Sequence, residues 1–425
     1  MTPVGSLLPD SDRQMDGYAA NAASPRISPG EIRGSGAHSR LFPTTILICF
    51  PNPISSRAIL RVCIHRRIPI PPFARNCCVN TYLMKKAMIE SVVDQGLKRI
   101  EDDPKRSIRR LADLGKQFSR SRFQEMLFSI MQELLDNEDS AYYEMVENLL
   151  RNADHDAMKT FGINVGYVSW TYGASKIREN ESRLGCCIPW TILLRYDPSC
   201  GDGVNTEHMA RLFQEGQDLG LYTWFIRERA NTVDSYELLD LLERYTEGSF
   251  VWMKETGRLT AAQVQMLRLC ENTIVSLPID DSETFLTAAL LREQKIPFAL
   301  HREYDSDEFS QGSGGRSDEW NRFMDNVLTS QTALVFLIQK DGADFSAGDI
   351  AYQSRMSQKN PFVVVDHYAD CTRISRILCE HPYLMELDEH GCLISPDGHK
   401  GEPFPFDLPL EQAFRRLMPA FPADE

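Results

Sequence analysis

Trp190-Thr-Ile-Leu-Leu-Arg-Tyr-Asp-Pro-Ser-Cys200-Gly-Asp-Gly-Val-Asn205 is the stretch whose reading decides the fold. With Ile188 at its head, the run to Tyr196 is almost continuously apolar, as a strand buried on both faces reads. Asp197-Pro-Ser-Cys200 then supplies turn chemistry. After Cys200 no cysteine appears until Cys270, so whatever loop follows this strand carries a single thiol.

Working outward, the same rhythm continues. Helix is expected over Thr206–Leu219, strand over Leu221–Ile226, helix over Asp234–Tyr245 and strand over Ser249–Met253. Helix Thr260–Cys270, strand Thr273–Ile279 and a helix capped by Asp281 or Ser282 and running to Gln294 follow. Pro297–His301 reads as a short strand and the acidic, Gly-rich Asp305–Ser317 as a loop. Asp318–Leu328 (helix), Ala333–Ile338 (strand), Ser346–Ser357 (helix) and Pro361–Asp366 (strand) complete the series, with Ser346-x-x-Asp349 as a capping box. Strands alternating with helices of this length indicate parallel βα units. Six or seven such units in an α/β protein suit a partial or full (β/α) barrel better than a doubly wound sheet, a choice that periodicity alone does not make. In either architecture the site lies at the C-terminal ends of the strands.

Upstream the pattern is helical. Met88, Ile89, Val92, Val93, Leu97 and Ile100 recur at helical spacing. Phe123, Met126, Leu127, Ile130, Met131, Leu134 and Leu135 form one stripe, and Tyr142, Met145, Val146, Leu149 and Leu150 another. All three are expected to be packing faces of an N-terminal helical extension. Residues 1–83 differ from everything after them. They hold nine Arg, no Lys, four acids and ten of the 23 prolines, for a net charge of +5, whereas 84–425 carries −19. Met84-Lys-Lys86 is the expected biological start, which makes 1–83 translated upstream sequence or a disordered tail. The apolar run Leu41–Phe50, broken at Pro43, is too short to span a bilayer, which takes about 20 residues. No membrane partner is expected, and an acidic body repels phosphate backbones, so neither is nucleic acid.

The 11 cysteines include adjacent pairs at Cys77-Cys78 and Cys186-Cys187 but no C-x-x-C or C-x-x-x-C. With no secretory signal, free thiols in a reducing cytosol are expected. The C-terminal third gathers Asp366, His367, Cys371, Cys379, His381, His390, Cys392 and His399. His367-x-x-x-Cys371 would share a helix face as a possible thiolate pair and Cys379-x-His381 could chelate, but the spacing matches no standard zinc site. Buried small thiols and surface histidines are the expectation, and no metal. Gly312-Ser-Gly-Gly315 lacks the Lys-Ser/Thr of a phosphate loop and reads as linker. Glu228, Asp280 and Asp366 fall at strand ends, where carboxylates could line a pocket.

In order and spacing, residues 84–410 resemble the bacterial radical S-adenosylmethionine (SAM) proteins that carry a SPASM-type C-terminal segment. Cys187-Ile-Pro-Trp-Thr-Ile-Leu-Leu194 is similar to the family's first barrel strand and Asp197-Pro-Ser-Cys200 to its exit. Gln217-Asp-Leu-Gly-Leu-Tyr222 is similar to the approach to the second strand, and Thr273-Ile-Val-Ser-Leu-Pro-Ile279 to a later inner strand. Pro361-Phe-Val-Val-Val-Asp366 resembles the last strand, and Met385-Glu-Leu-Asp-Glu-His-Gly391 a C-terminal hairpin. The resemblance implies a barrel over 186–370, a helical extension over 84–185 and a SPASM-like remnant over 371–425, with Cys371 as one vestige of its cysteines. It also implies a [4Fe–4S] cluster on three cysteines, of which Cys200 alone is present. A Gly-Gly-Glu-Pro turn is implied too, where this chain has Arg227-Glu-Arg-Ala230 with Glu228 as the remaining acid. The expectation is therefore a cytoplasmic bacterial pseudoenzyme without cluster or SAM, acting as a binding or accessory protein for a peptide or an active relative. The rivals are an active iron–sulfur enzyme with non-standard ligands, a barrel enzyme with acid/base chemistry on Glu228 and Asp366, and a decaying gene product.

Overall fold

Seven parallel strands succeed one another in sequence and in space. They are β1 (Thr191–Tyr196), β2 (Thr223–Glu228), β3 (Ser249–Lys254), β4 (Thr273–Pro278), β5 (Phe298–Tyr304), β6 (Leu334–Gln339) and β7 (Val363–Asp366). β8 (Met385–Leu387) lies parallel against the other edge of β1, and β9 (Cys392–Ile394) and β10 (Lys400–Pro403) extend it antiparallel. The computed structural model describes residues 81–100, 103–118, 122–229, 236–305, 318–340, 346–379, 381–394 and 400–419, all inside the unit Arg75–Glu425. The expectations for residues 1–80, Gly312–Gly315, the Ser346 side chain and His399 fall outside the described residues.

The sheet is strongly curled. The ring of Phe225 on β2 lies 5.9 Å from that of Phe336 on β6, and Arg227 of β2 pairs with Glu303 of β5. In a flat sheet β2 and β6 would stand roughly 19 Å apart, four strand spacings. No ladder joins β7 to β8 among the described residues, so the parallel run is an open, partial barrel.

Before the sheet run α1 (Thr81–Ile100), α2 (Pro104–Phe118), α3 (Arg122–Asp136), α4 (Tyr142–Asn152) and α5 (His155–Ile163), then a π-helical stretch Asn164–Gly173, then α6 (Ala174–Leu184). Helix α1 begins three residues ahead of Met84, and Tyr82 donates to Glu247 Oε1 at 2.6 Å while its ring stacks on Tyr172. The apolar stripes of α1 and α3 are packed less fully than their periodicity predicts. Leu135 is buried, but Met88 is 56 % exposed and Ile130 41 %. The extension sits at the N-terminal end of the strands. Ala141 N–H donates to Gln358 O and Asp154 N–H to Lys295 O, and both acceptors are left-handed residues that end sheet-packing helices. Gly173 and Gly220 let the π stretch cross the turn into β2. A Cβ on Gly173 would lie 2.4 Å from Gly220 O, and Gly220 has φ +112°.

The connecting helices are α7 (Thr206–Leu219), α8 (Tyr236–Arg244), α9 (Ala261–Leu267), α10 (Thr284–Glu293), α11 (Asp318–Ser330) and α12 (Ser346–Ser357), followed by α13 (His367–Leu378) and α14 (Leu410–Leu417). Asn205 caps α7 and a Thr260/Gln263 capping box starts α9. The cap expected from Asp281 or Ser282 is not formed. Glu283 occupies that place without a side-chain bond, while Asp281 accepts from Glu283 N–H through one carboxylate oxygen and from Gly257 N–H through the other. β5 extends to Tyr304 rather than stopping at His301, because His301-Arg-Glu303 alternates sides instead of ending the strand. Phe213 of α7 packs on Trp224 and Phe250, which places these rings on the helix-covered outer face. Cys371 lies inside α13, so a boundary at 370/371 falls within a helix. Among the described residues no helix is long and apolar enough to cross a membrane.

Candidate functional site

Side chains alternate along a strand, and residues paired in register point the same way. Register joins Arg195 to Arg227, Met253, Ser276 and Ala299, and two residues further along β5 it joins His301 to Phe336. These residues line the inside of the curl. Arg195 pairs with Glu386 of β8 at 2.8 Å, and Tyr368 Oη donates to the other oxygen of that carboxylate at 2.8 Å. Arg227 pairs with Glu303, and Ser276 Oγ contacts His301 Nδ1 at 3.0 Å.

His367 is the central group of this interior. It is fully buried, with its ring 4.8 Å from Phe225, and neither ring nitrogen has a hydrogen-bond partner. Burial pushes the imidazoles of His301 and His367 down to about 3, and the Arg227 guanidinium pushes in the same direction. Both rings are therefore neutral near pH 7, each able to offer one N–H and one lone pair. Burial raises the Tyr368 phenol, with Glu386 adding to it, so it remains a donor. The inside of the curl is thus a chamber that carries paired charges together with neutral hydrogen-bonding groups.

At the rim of the mouth, Cys200 Sγ lies 3.2 Å from His390 Nδ1, in the turn between β8 and β9. The loop after β1 is pressed onto that turn. Val204 N–H donates to Glu389 O, and a Cβ on Gly203 would lie 2.0 Å from the same oxygen. Arg229 pairs with Glu389 at 3.2 Å, and its N–H donates to Tyr196 O. Cys200 therefore faces one imidazole. One thiol beside one imidazole does not match a cluster held by three thiolates.

The other sequence candidates are placed as follows. Glu228 ends β2 on the outer face, where its Oε2 accepts from Lys254 Nζ at 2.7 Å and Trp252 Nε1 at 3.0 Å. Asp366 caps α13 through Ala369 N–H and accepts from Tyr304 Oη. Asp280, with an exposed side chain, pairs with Arg302. All three carboxylates sit at strand ends, yet Glu228 and Asp366 point away from the chamber. Cys371 is buried in α13 and burial pushes its thiol well up, so it stays protonated. The possible His367–Cys371 thiolate pair is not formed, since both imidazole nitrogens lack partners, and Cys371 is the expected buried core thiol. The expectation of surface histidines fails for His367, because the apolar rings of Phe225 and Phe336 enclose it. The seven described cysteines are all free thiols. Cys187 and His381 do come together, with Glu181, at the opposite end of β1. A groove of about 300 Å³ lined by Gln214, Gln217, Arg244 and Tyr245 also lies at that opposite end and shares no residue with the mouth.

Sequence reasoning did not single out Arg195, Ser276, His301, Glu303, Tyr368 or Glu386 as site residues. Charges inside otherwise apolar strands were the available signal, at Arg195 within Ile-Leu-Leu-Arg-Tyr and Glu386 within Met-Glu-Leu. No protein-family profile and no curated protein matches the chain. Solved structures similar to it include Streptococcus suis SuiB, at 9 % identity and a TM-score of 0.39, covering 56 % of this chain and 69 % of that one. SuiB bound to its precursor peptide SuiA matches at 11 % identity and a TM-score of 0.38, over 56 % of this chain and 67 % of that one.

Proposed function

We propose that this chain is a radical-SAM-like scaffold that holds neither cluster nor SAM and acts by binding a peptide or protein partner at the mouth of its curled sheet, as an accessory to an active relative. The observation that carries this reading is the loop after β1. It presents one thiol, Cys200, already against His390, and it is packed on Glu389 so closely that Gly203 has no room for a side chain. The chamber below supplies what an extended peptide needs, namely neutral donors and acceptors at His301, Ser276 and His367 beside two ion pairs.

Anaerobic reconstitution of the full chain with iron and sulfide tests the first half. Iron and acid-labile sulfide at background in folded protein are expected. About four irons per chain, lost in Cys200→Ala, would overturn the reading. For the second half, a photo-crosslinking residue replaces Arg229 at the rim or Arg268 after α9. Cross-links to a peptide or protein from the position 229 variant alone are expected; equal labelling from both positions would refute a site at the mouth.

A further inference from the structure

We infer that Glu181, Cys187 and His381 form a binding site for a thiophilic divalent cation of the zinc class, which staples the β8 side of the open barrel to β1. One ligand atom from each residue lies within 4.8 Å of the other two. They bring one carboxylate oxygen, one sulfur and one imidazole nitrogen, a donor set that zinc takes at about 2.0–2.3 Å. Tetrahedral geometry at those bond lengths sets donors roughly 3.3–3.8 Å apart, so the three need to close by only about an ångström around the ion.

The backbone already fixes two of the donors. Cys187 N–H donates to Met418 O at 2.8 Å, and Ile188 N–H donates to Glu181 Oε1 at 2.9 Å. That second bond orients the carboxylate as outer hydrogen bonds do around metal ligands. Cys187 is 1 % exposed, which excludes the site from bulk water on one side, whereas Glu181 and His381 are half-buried and leave an entry path.

The location gives the site its role. Glu181 belongs to α6, Cys187 leads into β1, and His381 lies in the link from α13 to β8. β8 begins at Met385 and pairs with β1, while nothing in the ladder ties it to β7. A cation here would anchor the approach to β8 at the end of the strands opposite the mouth. It is independent of the peptide-binding reading.

Cobalt(II) titration of the chelator-treated full chain tests this, because thiolate and tetrahedral ligation both leave absorbance signatures. About one cation per chain is expected, with a thiolate-to-cobalt band, together with a rise in Tm of a few degrees on adding zinc that a chelator reverses. Glu181→Gln and His381→Ala, both half-buried, should keep the fold by circular dichroism and weaken binding about tenfold or more. Cys371→Ser should leave it unchanged. Absence of the thiolate band, or binding that survives both His381→Ala and Glu181→Gln, overturns the site.

Discussion

Arg227 and Glu228 are consecutive on β2, yet they belong to two different environments. Glu228 faces the helices, where it and Lys254 form an ion pair with side chains 0 % and 3 % exposed among Trp252 and its neighbours. Arg227 faces the chamber and pairs with Glu303, with exposures of 17 % and 46 %. The outer pair has no water to fall back on if one partner is lost, whereas the inner pair can be resolvated or can exchange its partner for a ligand. The outer face thus holds the barrel together, and the inner face keeps groups that can rearrange.

The sharpest way to break this contrast is Glu228→Ala, which leaves Lys254 charged and buried without a partner. A loss of about 3–5 kcal/mol in urea denaturation is expected. Glu228→Leu combined with Lys254→Met should recover much of it, since an apolar pair of similar volume suits that layer; a loss under about 1 kcal/mol from the single change would mean that water reaches the outer face.

Acidification probes the inner face. Native His301 and His367 stay neutral down to about pH 3, whereas the unfolded chain takes up these protons near pH 6.5. Between those limits the unfolded state binds more protons, so stability falls as pH falls, and above the window neither histidine contributes. At pH 5.5 the two together should cost about 2–3 kcal/mol relative to pH 7. His367→Gln should remove about half of that slope, and an unchanged slope would show that the ring is not dry.

Smaller effects sharpen the same comparison. Arg227→Ala should cost about 1 kcal/mol or less, and a double-mutant cycle with Glu303→Gln measures the coupling directly. Met88→Glu on the exposed side of α1 should change stability by no more than about 0.5 kcal/mol. A larger loss would show that the α1 stripe is covered by something.

Much of the scaffold could be read from residue order. The apolar runs 188–196, 249–253 and 273–279 and the amphipathic stretch 206–219 became β1, β3, β4 and α7 with ends shifted by at most three residues. Burial on both faces writes such strands as continuous apolar runs. The π-helical stretch Asn164–Gly173 left no comparable signal, because its aromatic residues at Tyr167, Trp170 and Tyr172 suit either helix type. The site was half legible. Cys200 stood out through its isolation in sequence, but its neighbour His390 lies 190 residues away.

What the sequence determined by itself is the succession of βα units, the helical extension ahead of them, and the scarcity of thiols after β1. Those follow from local periodicity and composition, which depend only on neighbours along the chain. Which side of each strand faces the chamber was decided by tertiary structure, because a period of two says that Arg227 and Glu228 oppose one another but not which points inward. The curl of the sheet then brought Arg227 to Glu303, and the pairing of β8 with β1 brought Cys200 to His390 and Cys187 with Glu181 to His381.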